Sequence, residues 1–264
     1  MNIESIYKLS QQDREEGFSG IHRLIIDHLD AVAALEDDRL HKRLLEELIE
    51  KYVILEKRVD RLLKNTLPEK VANEIKYEGR YEPRPYDCAI LFTDIVGFTH
   101  LVEHMPGNIL IDLLDRLFRG FDDLIIRFGG TKIKTIGDAY MAVFGALDDK
   151  PDYAAASIRA GLSLFEFQDR FNRENRLDLQ MRIGIHAGRV MAGVVGSERM
   201  QFDVFGDDVN IAARLESSGE SGRVNVSQNL YLTTKDRFFF KERGEIPLKY
   251  KANMKAYFVL REKP

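Results

Sequence analysis

Glycine and proline are spread unevenly along this 264-residue chain, and that unevenness constrains its fold more than any other feature. Residues 1–78 hold only Gly17, Gly20 and Pro68, whereas the other 186 residues hold seventeen glycines and six prolines. Both residue types interrupt helices, so the first part reads as helix and the second as a turn-rich mixture of strands and helices.

Within the first part, Ile21, Leu24, Ile25, His28, Leu29 and Val32 recur at three- and four-residue steps, one apolar face of a helix ending near Glu36-Asp37-Asp38. Leu45, Leu48, Tyr52, Leu55, Val59 and Leu62 then alternate in steps of four and three, an a/d seam flanked by Glu and Lys/Arg. Such a seam packs in cis on the preceding helix or in trans on a second chain, and the trans coiled coil is the favoured reading. His22, His28 and His41 do not all share one helical face, which argues against a metal or heme site there. Leu67-Pro68 ends the helix, because proline disfavours helix in the residue before it. A short helix over Pro68–Ile75 leads into a proline-containing linker, Tyr77–Tyr86. The predicted organisation is a helical dimerisation or regulatory segment over 1–78 and a separate domain over 84–264.

Several function classes drop out on composition. The formal charge is -4, from 39 Lys plus Arg against 43 Asp plus Glu. That balance gives no long-range field for nucleic acid. Cys88 is the single cysteine, which excludes an internal disulfide and fits a reducing compartment. The longest apolar runs, such as Ala31–Leu35 and Cys88–Phe92, fall far short of the roughly 20 residues that span a bilayer. The first residues lack the basic start and apolar core of a signal peptide. The expectation is a soluble, cytoplasmic protein with no membrane span and no nucleic-acid partner.

From Asp87 the pattern alternates. Cys88–Phe92 reads as a strand, and Ile109–Phe128 as a helix stopped by Gly129-Gly130. Lys132–Ile136 and Ala139–Phe144 flank Gly137-Asp138, a two-residue hairpin signal. Tyr153–Phe171 reads as a second helix. Met181–Ala187 and Arg189–Val195 read as two strands of a hairpin turning near Gly188. A helix near Asp208–Ser217 and short strands near Val224–Val226, Phe238–Phe240 and Ala256–Leu260 complete the chain. Strand–helix–hairpin–helix–strand is the βαββαβ order of a ferredoxin-like α+β core, here with added strands and helices.

Four groups of residues could carry chemistry. Asp94 follows the CAILF strand, and Asp138 sits at the hairpin tip, so their carboxylates converge if the strands are neighbours. Two carboxylates with open positions suit Mg²⁺, which keeps water and substrate phosphates as ligands, and a pair of such ions serves in-line displacement at phosphorus. The plainer alternative makes Asp138 a turn residue and Asp94 a helix cap. Gly97, within Ile95–Thr99, lets the backbone N–H groups there approach an anion. Asn210 and Arg214, four apart, share one helix face and could hold a phosphoryl group, or could belong to a solvated face. Lys249, Lys251 and Lys255 near the terminal strand could meet a polyphosphate or simply protect an edge.

Together these stretches resemble the catalytic domain of the class III nucleotidyl cyclases. FTDIVGFT (92–99), KIKTIGDAYMAVFG (132–145), RIGIHAGRVMAGVVG (182–196), QFDVFGDDVNIAARLES (201–217) and KANMKAYFVL (251–260) carry the resemblance, in family order. It implies that Asp94 and Asp138, with the Ile95 carbonyl, bind two Mg²⁺ (or Mn²⁺) ions per active site. It implies substrate contacts at Gly97, Phe98 and Thr99, ribose orientation by Asn210, stabilisation of the reacting phosphate by Arg214, and a β/γ-phosphate contact at Lys255. It also points to base recognition by Lys134 and Asp203. A Lys/Asp pair resembles the adenylyl form, whereas guanylyl cyclases usually carry Glu with Cys or Ser. Lys donates to N1 of adenine and Asp accepts from its N6 amine, a pattern guanine reverses. Asp208 stands where the family often has threonine, and Arg199 is a further candidate for the triphosphate. The resemblance implies a homodimer, with metal carboxylates from one protomer and Lys134, Asp203, Asn210, Arg214 and Lys255 from the other. The expected function is an adenylyl cyclase making 3′,5′-cyclic AMP from ATP. A guanylyl cyclase, or a non-catalytic dimerising nucleotide-binding module, is the alternative.

Overall fold

The computed structural model describes residues 38–147, 152–247 and 253–264, and the helix expected over Ile21–Val32 lies outside them, as do His22 and His28 and the His41 side chain. The chain divides into two compact units, Met1–Asn65 and Thr66–Pro264.

The first unit is described by helix α1 (Asp38–Thr66), which contains the whole Leu45–Leu62 seam. Tyr52, Val59 and Leu62 stand exposed on it.

The second unit starts with α2 (Glu69–Glu78), preceded by Pro68 and closed by Gly79 in the left-handed conformation at φ 77°. Then come β1 (Arg84–Val96), α3 (Phe98–His104), α4 (Gly107–Arg127), β2 (Gly130–Ile136), β3 (Ala139–Phe144) and α5 (Tyr153–Asn175). The chain continues through β4 (Gln180–Val195), β5 (Gln201–Phe205), α6 (Asp207–Ser217), β6 (Val224–Ser227), α7 (Gln228–Thr234), β7 (Phe238–Ile246) and β8 (Met254–Glu262). The strands form one sheet in the order β2-β3-β1-β4-β6-β8-β7, with β5 attached to β4. The first four reproduce the expected ferredoxin-like core, with β1 antiparallel to both β3 and β4.

β1 sits at the centre of that core, and Cys88–Phe92 with Thr93 is buried throughout. A strand covered on both faces reads as a continuous apolar run. The two faces are set by β4, where successive side chains point to opposite sides. Ile185 faces α5, since a Cβ on Gly161 of that helix would approach its Cδ1. Gly184 faces α6, where a Cβ would lie 2.1 Å from the Glu216 backbone nitrogen. Helices α5 and α6 therefore cover opposite faces of β4. Leu117, Phe121 and Ile125 of α4 join Ile158 and Leu164 of α5 in the main core. Gly120 permits the tight α4–α5 contact, because a Cβ there would meet the Phe167 ring at 2.0 Å.

One expected hairpin is absent. Met181–Ala187 and Arg189–Val195 are a single sixteen-residue strand, with Gly188 directly opposite Cys88 in the β1 ladder. Gly188 is not among the glycines with positive φ. It is glycine for lack of room: a Cβ would lie 2.4 Å from Cγ of Asp208. The chain reverses after Val195 instead, and β5 runs back along Met191–Val195. That strand, QFDVF, was not foreseen.

Candidate active site

Asp94 lies near the end of β1, directly across the ladder from Arg182 on β4. The Arg182 Nη2 donates to Asp94 Oδ2 at 2.6 Å, and its Nε lies 3.1 Å from Oε1 of Glu216 on α6. Asp138 follows Gly137, whose φ of 64° makes the tight turn between β2 and β3. Because β3 pairs with β1, the turn brings Asp138 beside Asp94. Burial raises the Asp138 carboxyl from its ordinary value, as does the charge of the neighbouring Asp94. Glu216 is pushed up to about 7, first by burial and then by Asp94, while the Arg182 guanidinium opposes the rise. Three neighbouring carboxylates with one guanidinium among them leave an excess of negative charge, and ionising all of them together is costly without a cation.

The sequence expectation that Asp94 and Asp138 converge is therefore met. Ile95 is buried in β1 beside them. The oxygen-only donor set fits a hard divalent cation. Among the described residues no group of three or more His, Cys, Asp or Glu forms a metal cage. Arg182 and Glu216 were missed by sequence reasoning. Their signal was a charged residue set between buried apolar neighbours: Arg182 between Met181 and Ile183, and Glu216 after Leu215.

Gly97, with φ 74° and ψ 19°, opens the short helix α3. Gly97, Phe98 and Ile95 line a cleft of about 300 Å³ together with Leu101, Asp178 and Leu179. The side chain of Thr99 lies outside the described residues.

Lys134 and Asp203 meet as well, with Nζ 2.5 Å from Oδ2. A register shift between Lys132 and Lys134 sets this up. Residues two apart on a regular strand share a face. The extra residue, Ile133, lets the two lysines take different partners, a common use of a bulge. Lys132 reaches Asp122 on α4 at 2.9 Å, and Lys134 reaches Asp203 on β5.

Asn210 and Arg214 are both exposed on α6, whereas Ile211, Ala212 and Leu215 are buried beneath them. At about 100° per residue, Glu216 lies roughly 160° around the helix from Arg214 and about 120° from Asn210. The Asn/Arg pair thus points away from the Arg182–Glu216 contact. Lys255 stands on β8 and pairs with Glu242 at 3.4 Å, an exposed interaction that yields readily to a stronger ligand. Arg199 is exposed in the turn between β4 and β5.

Residues 81–261 match the family model described as adenylate and guanylate cyclase catalytic domain. The chain is 36% identical over 208 residues to an adenylate cyclase of Mycobacterium tuberculosis, covering 78% of this chain and 47% of that protein. It is likewise 36% identical over 221 residues to a receptor-type guanylate cyclase of Caenorhabditis elegans, covering 82% of this chain and 17% of that protein. The chain thus spans half or less of these curated relatives. Among solved structures, an adenylyl cyclase from P. aeruginosa superposes with a TM-score of 0.66 at 28% identity, over 69% of this chain and 98% of that one.

Proposed function

This chain belongs to the adenylate and guanylate cyclase catalytic-domain family, and from that premise we propose that it converts ATP to 3′,5′-cyclic AMP and pyrophosphate at a site completed by a second copy of itself. The observation that carries the shared site is the two-sidedness of α6. Its Glu216 side turns toward Arg182 and Asp94 of the same chain, while Asn210 and Arg214 face outward, about a helix diameter away. One α-phosphate cannot touch both faces in a single chain, but it can lie between the acidic pair of one protomer and the outward pair of another. Two-fold symmetry then gives two equivalent sites.

In this reading Asp94, Asp138 and the Ile95 carbonyl hold two divalent cations, Mg²⁺ or Mn²⁺. Bound there, the cations supply Lewis acidity for the ribose 3′-hydroxyl and neutralise the triphosphate. Asn210 orients the ribose, and the Arg214 guanidinium stabilises the charge that grows on the α-phosphate. Lys255 exchanges its exposed partner Glu242 for the β- and γ-phosphates, and the Gly97–Thr99 turn lies beside the cation site.

The choice of ATP over GTP rests on Lys134 and Asp203. Relatives of both specificities are equally similar, so the base preference is argued from these two side chains alone. Lys134 has donors to spare for adenine N1, and Asp203 accepts from N6; guanine presents a carbonyl to the acid and an N–H to the ammonium. The Leu45–Leu62 seam of α1 is assigned to pairing with the same helix of the second copy, which sets how the two cyclase domains meet.

The test is a turnover assay with ATP and GTP in turn, with product identification and a range of protein concentrations. Cyclic AMP formation with specific activity rising with concentration supports the reading. Preference for GTP, or ATP binding without turnover, overturns it.

A further inference from the structure

The geometry points to Asp208 as a positioning residue that locks the first turn of α6 onto β4 and so sets the reach of Asn210 and Arg214. Asp208 lies in the first turn of α6, two residues before Asn210 and six before Arg214. Its two carboxylate oxygens engage two points of β4. Oδ1 lies 3.0 Å from Nε2 of the buried His186, and Oδ2 accepts the Arg189 backbone N–H at 2.7 Å. The carboxylate fills the space that a side chain at Gly188 would take, where a Cβ would lie 2.4 Å from Oδ2. Three β4 positions, His186, the bare Gly188 and Arg189, therefore form a seat for one side chain.

Gly206 stands at the cap position and provides no side-chain cap bond. A planar, two-headed side chain can satisfy both partners at once, and a carboxylate does so with two oxygens that accept independently. Threonine, with one hydroxyl, cannot span them. Bonds from an ionised acceptor to backbone N–H groups are among the stronger hydrogen bonds, and they fix orientation as well as distance. A site built across two protomers is exacting in this respect, because a misplacement of about 1 Å can lower turnover by about 100-fold.

The inference rests on the reading of Asn210 and Arg214 as the phosphate-facing pair. It is tested with Asp208→Ala, Asp208→Asn and Gly188→Ala in the full chain. Asp208→Ala should lower kcat by about 10- to 100-fold with the KM for ATP within about two-fold, because Lys134 and Asp203 lie on other elements. Asp208→Asn should recover most of the activity: its carbonyl accepts from Arg189, and its amide donates to His186. Gly188→Ala keeps the carboxylate but displaces it, so it should share the kcat loss even if the alanine variant of Asp208 proves unstable.

Mixed dimers give the second readout. Asp208→Ala should regain activity when mixed with Asp94→Ala, since one site then combines two intact halves. It should regain none with Asn210→Ala, which damages the same half. Recovery with both partners, or with neither while Asp94→Ala and Asn210→Ala rescue each other, overturns the lock. So does wild-type turnover in both Asp208→Ala and Gly188→Ala, or an effect on KM alone. Should the Asp94→Ala and Asn210→Ala pair itself fail to recover, the shared-site reading falls; the kcat–KM split and the asparagine rescue then decide the lock by themselves.

Discussion

Lys134 on β2 and Asp203 on β5 lie 2.5 Å apart within one chain, so the two side chains assigned to the base are assembled before any nucleotide arrives. The Lys134 side chain is 28% exposed and that of Asp203 13% exposed, which shields the pair from water without sealing it. Asp203 is also held from its other oxygen, which accepts the Val204 backbone N–H at 2.9 Å. A base entering beside this pair must match a fixed donor and a fixed acceptor. Mismatch leaves buried polar groups unpaired, a strong ground for rejection.

Exchanging the pair for Lys134→Glu with Asp203→Cys should therefore lower the ATP-to-GTP ratio of kcat/KM by about 100-fold or more. The double variant restores a partner for guanine N–H groups and removes the adenine acceptor. Steady-state rates with both nucleotides provide the measurement. An unchanged ratio would show that base choice is made elsewhere.

The acidic and phosphate-facing halves make a second prediction. Asp94→Ala and Asn210→Ala should each be inactive alone, with losses of about 100-fold or more expected for a group that holds the cations and for one that fixes the ribose for attack. Mixed in equal amounts, they should recover about a quarter of wild-type activity if protomers pair at random, because half of the dimers then carry one intact site of two. Titrating one variant against the other checks this. A flat response would place the complete site within one chain.

How much of this was legible beforehand depended on how local the cause was. The Gly137-Asp138 turn was read correctly because a two-residue hairpin is specified by its own residues, and Asp94 could be placed because it follows a continuous apolar strand. Gly188 was misread as a turn because a glycine required by crowding looks the same in sequence as a glycine required by φ. The cause, Asp208, lies twenty residues later in the chain. Arg182 was missed for the same reason: its partner Asp94 is 88 residues away and is set by the β1–β4 register. The Ile133 bulge, which separates Lys132 from Lys134, leaves no mark in the Lys-Ile-Lys stretch itself, which alternates as a regular strand would.

The α1 seam leads to a concentration-dependent prediction. Leu48→Asp with Leu55→Asp places charges in the apolar stripe, and losing two leucines that the proposed pairing would bury should weaken self-association by at least about ten-fold. Specific activity should fall at low protein concentration and recover as concentration rises, as mass action requires. Sedimentation velocity alongside the assay separates this from a damaged site. Unchanged association would show that the helix does not join the two copies.

Glu216 links stability to pH in the metal-free protein. Its carboxyl is pushed up to about 7 in the folded chain, from an ordinary value of 4.5. Between those values the folded state keeps a proton that the unfolded state releases, so its contribution to stability falls as pH rises through this interval. The protonated form is thus present, and the contribution intact, below about pH 4.5; it is lost once pH passes about 7. Complete loss is on the order of 1–3 kcal/mol, given that the side chain is 11% exposed and partly offset by Arg182. Glu216→Gln keeps the shape and removes the proton equilibrium. With EDTA present, the wild-type melting temperature should decline relative to this variant between pH 5 and about 8. Divalent cation should narrow that difference, because positive charge at Asp94 and Asp138 favours the ionised Glu216. Parallel melting curves across the range would exclude Glu216 as the titrating group. A glutamine variant that grew relatively less stable as pH rose would reverse the sign and show that the Arg182 ion pair outweighs burial.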